Sequence, residues 1–214
     1  MRNALLRARG RSNRVETGSG PDRERSRRAA FARLSEEIRG CTLCPLAKSR
    51  IQAVVYRGSL TPHVVFVGEA PGADEDRLGI PFVGRAGRVL DRAIESLGPA
   101  LGEFGVLNVV KCRPPANRFD PRAARACRPY LDRQIALLRP RVVVPLGRHA
   151  LAALDPSAPP ILTAAGHARL AQLGWLFPLV HPAATLRSRR LKERWGHDLR
   201  AFEGWLAELR LESV

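Results

Sequence analysis

Four kinds of side chain in this 214-residue sequence have the type and spacing to do chemistry. The first is thiol. Cys41 and Cys44 form a C-x-x-C pair, and Cys112 and Cys127 form a looser pair far downstream. In a reducing compartment four such thiols read as metal ligands sooner than as two disulfides. Thiolates alone suit either zinc or an iron–sulfur cluster. The second pair, spaced C-x14-C, lacks the tightness common in zinc ribbons, which favours the cluster. The second kind is carboxylate: Glu69, Asp74, Glu75 and Asp76 crowd a glycine- and proline-rich stretch, Gly68-Glu69-Ala70-Pro71-Gly72. The third is the amide of Asn108, which offers a donor and an acceptor on one group. The fourth is the imidazole of His181, directly before Pro182. Each has a plain structural reading too, as a loop acid, a capped amide or a satisfied histidine.

The elements that must position them follow from hydrophobic patterning. Val64 to Val67 is a short apolar run ending at Gly68, read as a buried strand entering a loop. Val106 to Val110 is a second strand carrying Asn108, Arg141 to Leu146 a third, and Leu176 to Val180 a fourth ending at His181. Phe31, Leu34 and Ile38 keep helical spacing, as do Ala86, Val89, Leu90, Ala93, Ile94 and Leu97. Asp120-Pro121 opens a further helix, which Pro129 is expected to kink or shorten. Gly147 opens a short one to Leu154, and Leu191 to Leu209 forms an amphipathic C-terminal helix. The segment between Gly68 and Gly84 reads as a long loop. Short apolar strands alternating with helices imply an α/β domain around a parallel sheet. In such sheets ligands sit beyond the carboxyl ends of the strands, where the acids, Asn108 and His181 converge.

Charge narrows the class of partner. Lys and Arg number 36 against 20 acids, a formal charge of +16, and only Lys48, Lys111 and Lys192 are lysines. Such a field favours polyanions. No apolar run approaches the roughly 18 residues of a membrane span. The loop after the first strand is not a G-x-G-x-x-G turn, its acids would repel a pyrophosphate, and no P-loop occurs, so no nucleotide cofactor is expected. Residues 1–28 read as a disordered basic arm, and residues 29–214 as one domain. Arg2, Arg7, Arg9 and Arg11 without an apolar stretch argue against a secretory signal, so a cytoplasmic protein, associated with the nucleoid through DNA, is expected.

Taken together, Gly68-Glu69-Ala70-Pro71-Gly72, Glu75-Asp76, GIPFVGRAG at 79–87, NVVKCRPP at 108–115 and His181-Pro182-Ala183 closely resemble the family 4 uracil-DNA glycosylases. The resemblance spans roughly residues 31–209 and rests on several motifs in order. It implies a three-layer α/β/α sandwich with a four-stranded parallel central sheet. It also implies a [4Fe–4S] cluster on Cys41, Cys44, Cys112 and Cys127, with uracil-containing DNA as partner, and a monomer suffices for the chemistry. The cluster's implied role is structural.

The implied mechanism flips the nucleotide out of the duplex, because the glycosidic bond of a stacked base is out of reach. Phe82 would stack on the flipped base and Asn108 would read its N3–H and O4. His181 would donate to O2 as negative charge develops there, helped by backbone N–H groups around Glu69, Ala70, Pro71 and Gly72. Glu75 has two readings: it positions water or steadies the cationic sugar, or it fills the space of a thymine methyl. Glu69 is a catalytic or a structural carboxylate. Ala70 stands where another class of uracil glycosylase has its water-activating Asp, a departure shared with family 4. In the segment His181 to Arg187 relatives often carry Leu at the fifth and sixth positions; here these are Thr185 and Leu186, so Leu186 is the expected wedge. Arg187, Arg189, Arg190 and Lys192 would hold phosphates. Three rival classes remain: a non-catalytic nucleic-acid-binding protein with a structural metal, a redox protein, and a sister glycosylase branch. Scattered cysteines argue against the second. Glu69, and the lack of histidine at 113–119, argue against the third.

Overall fold

The computed structural model describes residues 20–211. The expected basic arm therefore lies largely outside the described residues. Its last part, residues 20–28, belongs to helix α1 (Gly20–Arg39). Ion pairs at helical spacing, Arg25 with Asp22 and Arg28 with Glu24, suit that helical start. The same helix buries Phe31, Leu34 and Ile38 on one face, as their spacing predicts.

The sheet has six strands: β1 (Arg57–Gly58), β2 (Val64–Gly68), β3 (Phe104–Asn108), β4 (Val142–Pro145), β5 (Arg169–Ala171) and β6 (Gly174–Leu176). Their spatial order is β1-β3-β2-β4-β6-β5. The sheet is mixed: two edge strands widen the expected four-stranded sheet to six. β2 pairs in parallel with β3 and β4, and β4 with β6, while β1 and β5 add short antiparallel edges. The fourth strand also falls earlier than its apolar run suggests. The apolar run beyond β6 still follows β4: the Phe177 N–H donates to the Val143 carbonyl at 3.0 Å, the Leu179 N–H to the Pro145 carbonyl at 2.9 Å, and Leu179 bridges Leu146.

Alternation along the strands builds two cores. Val64, Phe66, Val106, Val142 and Val144 pack against α4 (Arg85–Leu97) and α9 (Arg189–Leu211). Val65, Val67, Leu107 and Val143 pack against α1, α5 (Pro121–Leu138) and α6 (Arg148–Leu154). The result is three layers, helices on both faces of the sheet. Each fully buried Leu or Val contributes about 1.5–3 kcal/mol on leaving water. Pro129 sits inside α5 without ending it; the buried face through Cys127, Leu131, Ile135 and Leu138 holds the helix against the sheet. Between β2 and α4, where a loop is expected, lies α3 (Ala73–Leu78), with Asp74, Glu75 and Asp76 in its first turn, where the helix dipole favours acids. Two further short helices, α2 (Leu46–Ser49) and α7 (Ile161–Ala164), bridge loops, and α8 (Pro182–Thr185) follows β6.

Candidate active site and cysteine centre

The ends of β2 and β3 lie side by side, with Gly68 opposite Asn108 in the ladder. A Cβ on Gly68 would stand 2.4 Å from Asn108 Oδ1 and 2.5 Å from the Phe82 ring. Glycine at this position lets an amide and an aromatic ring converge on one spot. Asn108 is only 1% exposed, and its Oδ1 has no hydrogen-bond partner. A buried acceptor left so costs about 1–3 kcal/mol and is an open seat for a ligand N–H. Phe82 is buried and holds φ at 58°, a left-handed conformation that strains a bulky residue. Gly87 permits it: a Cβ there would come within 1.9 Å of the Phe82 carbonyl oxygen.

His181 completes the cluster from the far side. Its ring lies 5.8 Å from that of Phe82, inclined by 28°. Its Nδ1 accepts the Ala183 N–H at 3.1 Å and so caps α8. That bond places the neutral ring's proton on Nε2, free to donate. Burial, and then the nearby His149, pull the imidazole down to about 4. The ring is therefore a neutral donor across the physiological range.

The acids sort into different tasks. Glu75 accepts the Gly72 N–H at 3.0 Å with one oxygen and the Gly84 N–H at 2.8 Å with the other. It clamps the turn after β2 to the start of α4. Asp76 is buried and accepts from Ile51 N–H at 3.0 Å. Glu69 is half-buried, and its Oε2 stands 3.9 Å from His149 Nε2. Burial raises the Glu69 carboxyl and Arg148 opposes the rise. Ala70 is partly buried and packs toward the core, and Pro71 is buried. His149 is a neighbour that patterning did not flag. It stacks on Phe119 at 3.9 Å and accepts from Arg148 Nε at 3.0 Å. Its position two residues beyond Gly147, at the end of β4, was the available signal.

Because Glu75 holds two backbone amides at once, Glu75→Gln leaves one of them facing an NH2 group. The expected cost is about 1.5–3 kcal/mol of folding stability, read from the midpoint of urea unfolding. An unchanged midpoint would deny Glu75 its clamping role.

The segment after His181 divides cleanly. Thr185 is buried with its hydroxyl on the Pro182 carbonyl at 2.7 Å, whereas Leu186 is 42% exposed. Arg187, Arg189 and Arg190 are exposed beside it, Arg189 pairing with Glu193 at 3.0 Å. Lys192 and Arg200 continue the cationic face along α9.

Cys41, Cys44, Cys112 and Cys127 line one small cavity between the end of α1, the turn after β3, and α5. All four are free thiols. Arg50 donates to Cys112 Sγ at 2.9 Å. Among the described residues no three Cys, His, Asp or Glu side chains are gathered tightly enough for a single ion. An all-sulfur donor set around one cavity fits thiolate-bound iron and also suits zinc. Lys111, also unflagged by patterning, is 1% exposed, and its ammonium donates to the Asn108 carbonyl. Burial lowers it to about 8, against the pull of the Cys127 and Cys112 thiols.

The family model for the Uracil DNA glycosylase superfamily matches residues 55–209. A type-4 uracil-DNA glycosylase of Pyrobaculum aerophilum is 40% identical over 80% of this chain and 92% of its own. The chain belongs to the uracil-DNA glycosylase superfamily. Its similarity runs to the type-4 members: one from Thermotoga maritima is 40% identical over 73% of this chain and 83% of its own. A type-5 uracil-DNA glycosylase of Thermus thermophilus is 32% identical over 56% of this chain. The superfamily match includes Gly68, Phe82, Asn108 and His181, and it begins after Cys41 and Cys44.

Proposed function

We propose that this chain is a type-4 uracil-DNA glycosylase that flips uracil from DNA, hydrolyses its N-glycosidic bond and so starts base excision repair. The observation that carries the mechanism is the unpaired, buried Oδ1 of Asn108, set against Phe82 with the His181 ring beyond. Asn108 Oδ1 accepts uracil N3–H and its NH2 donates to O4. Cytosine presents the opposite pattern and would leave both groups unpaired. Phe82 stacks on the ring. As the C1′–N1 bond breaks, its electron pair passes to the base, and His181 Nε2–H donates to O2 where that charge collects. Water adds its oxygen to C1′ and releases a proton to solvent. Ala70 offers no base for that proton, and Glu75 is engaged with Gly72 and Gly84. Glu69, half-buried beside His149, takes an electrostatic part.

Leu186 wedges into the space of the flipped nucleotide, and Arg187, Arg189 and Arg190 hold phosphates. The double change Arg189→Ala with Arg190→Ala should weaken duplex binding and flatten its salt dependence by about 1 per lost phosphate contact. A salt slope equal to the parent's would remove them from the interface. Cys41, Cys44, Cys112 and Cys127 hold a [4Fe–4S] cluster, which when bound fastens the N-terminal segment to the turn after β3. Among the described residues no helix is long and apolar enough to cross a membrane. We place the protein in the cytoplasm, on DNA.

Freshly purified protein incubated with a uracil-containing oligonucleotide tests the reading. Release of free uracil by protein absorbing near about 400 nm, where thiolate-bound iron absorbs, is expected. Colourless, zinc-containing protein that leaves uracil in place would favour a non-catalytic DNA-binding protein.

A further inference from the structure

We propose that Lys111 is a positioning residue for base recognition: its ammonium, buried between the Asn108 carbonyl and the cysteine centre, sets the angle of the Asn108 amide. The inference rests on the uracil-excising reading and deepens it.

Asn108 Oδ1 has no protein partner, so no hydrogen bond from that oxygen fixes the plane of its amide. The plane must be set by the main chain and by packing on Gly68 and Phe82. On the main chain, β3 ends at Asn108. The next two N–H groups continue the ladder, Val109 to the Gly68 carbonyl at 2.9 Å and Val110 to the Glu69 carbonyl at 3.0 Å. The Asn108 carbonyl itself receives the Lys111 ammonium. Lys111 thus ties down the carbonyl of the residue that carries the amide.

An ammonium at 1% exposure is costly to keep, and an apolar side chain of similar length would fill the space more cheaply. Its surroundings show what it joins. On one side is the residue that reads the base. On the other are Cys112 and Cys127, which line one cavity with Lys111. A filled thiolate centre is anionic, so the same cation serves the centre and the base pocket. Arg50 reaches Cys112 but not Asn108, so among these cations Lys111 alone spans both.

The experiment compares unsubstituted protein, K111M, K111Q, N108A and the double variant K111M with N108A, each with iron and absorbance near about 400 nm measured per chain. Single-turnover uracil release and duplex affinity are then read. K111M is expected to slow release about 10- to 100-fold, the worth of a charge-assisted hydrogen bond, with iron and duplex affinity unchanged. K111Q, which keeps a neutral donor, should recover part of that loss. In the N108A background the Lys111 change should do almost nothing, because the group it aims is gone. An equal further loss there would mean that Lys111 acts elsewhere and would overturn the proposal. A parent-like rate for K111M would also overturn it. So would loss of iron from both K111M and K111Q, which would make Lys111 a support of the cysteine centre alone. Unsubstituted protein that releases no uracil would strike the functional reading itself, and the two failures are read in separate lanes of one experiment.

Discussion

Asn108→Ala slows single-turnover uracil release by about 100- to 1,000-fold and leaves duplex affinity nearly unchanged. The size follows from what the substitution strands. In the flipped complex uracil N3–H and O4 both lose their partner, and each buried unpaired group costs about 1–3 kcal/mol. Affinity is spared because phosphate contacts dominate binding and Asn108 is 1% exposed, whereas Arg187 and Arg190 are on the surface. A second reason is geometric. Gly68 gives the amide its space, and no other side chain stands ready to take its position. If release were as fast as in the parent, the buried Oδ1 would be a structural accident and the pocket would lie elsewhere.

His181→Ala is the second large effect, expected at about 100- to 1,000-fold in the rate of release, as for loss of one donor to a developing oxyanion. Its pH behaviour separates this role from a general acid. With the imidazole held down at about 4 by burial and by His149, the rate should stay level through the region near 6.5 where a free imidazole titrates. Stability carries the opposite signature. The unfolded chain takes up a proton on this histidine near 6.5, whereas the native ring does so only near 4. His181 therefore lowers stability progressively as pH falls between those values, and His181→Ala should shrink that dependence. Urea midpoints across the range, beside release rates, read both. An inflection in rate near 6.5 that vanishes in the variant would make His181 a proton donor instead.

Much of this arrangement was legible in residue patterns. Val64 to Gly68 is a buried run with a glycine stop, and β2 has those bounds. Asn108 falls inside one apolar run and His181 at the end of another, and both reach the same rim. Burial of Leu34, Ile38, Leu90 and Leu131 follows helical spacing. The misses have physical causes. β1 and β5 are two and three residues long, too short for a period to register. β6 starts earlier than its apolar run because Gly174 pairs with β5 and Trp175 with both β4 and β5, although Phe177 and Leu179 still donate to β4. α3 hides among acids that, before they fold, look like loop residues. Lys111 and His149 matter through neighbours brought in from other elements, Cys127 on α5 and Phe119 before it, which no local window contains. Glu75 was singled out for chemistry, yet its two oxygens are fastened to the backbone N–H groups of Gly72 and Gly84 on either side of it.

The brevity of β1 and β5 has a consequence for life on a polyanion. A chain of charge +16 gathers densely along DNA, and crowding favours strand-to-strand polymerisation wherever a sheet offers an open border. Here the borders are two and three residues long and run against the direction of the central strands, so neither offers an arriving chain a template of useful length. Growth of the sheet at either border is thereby disfavoured, however closely the copies lie.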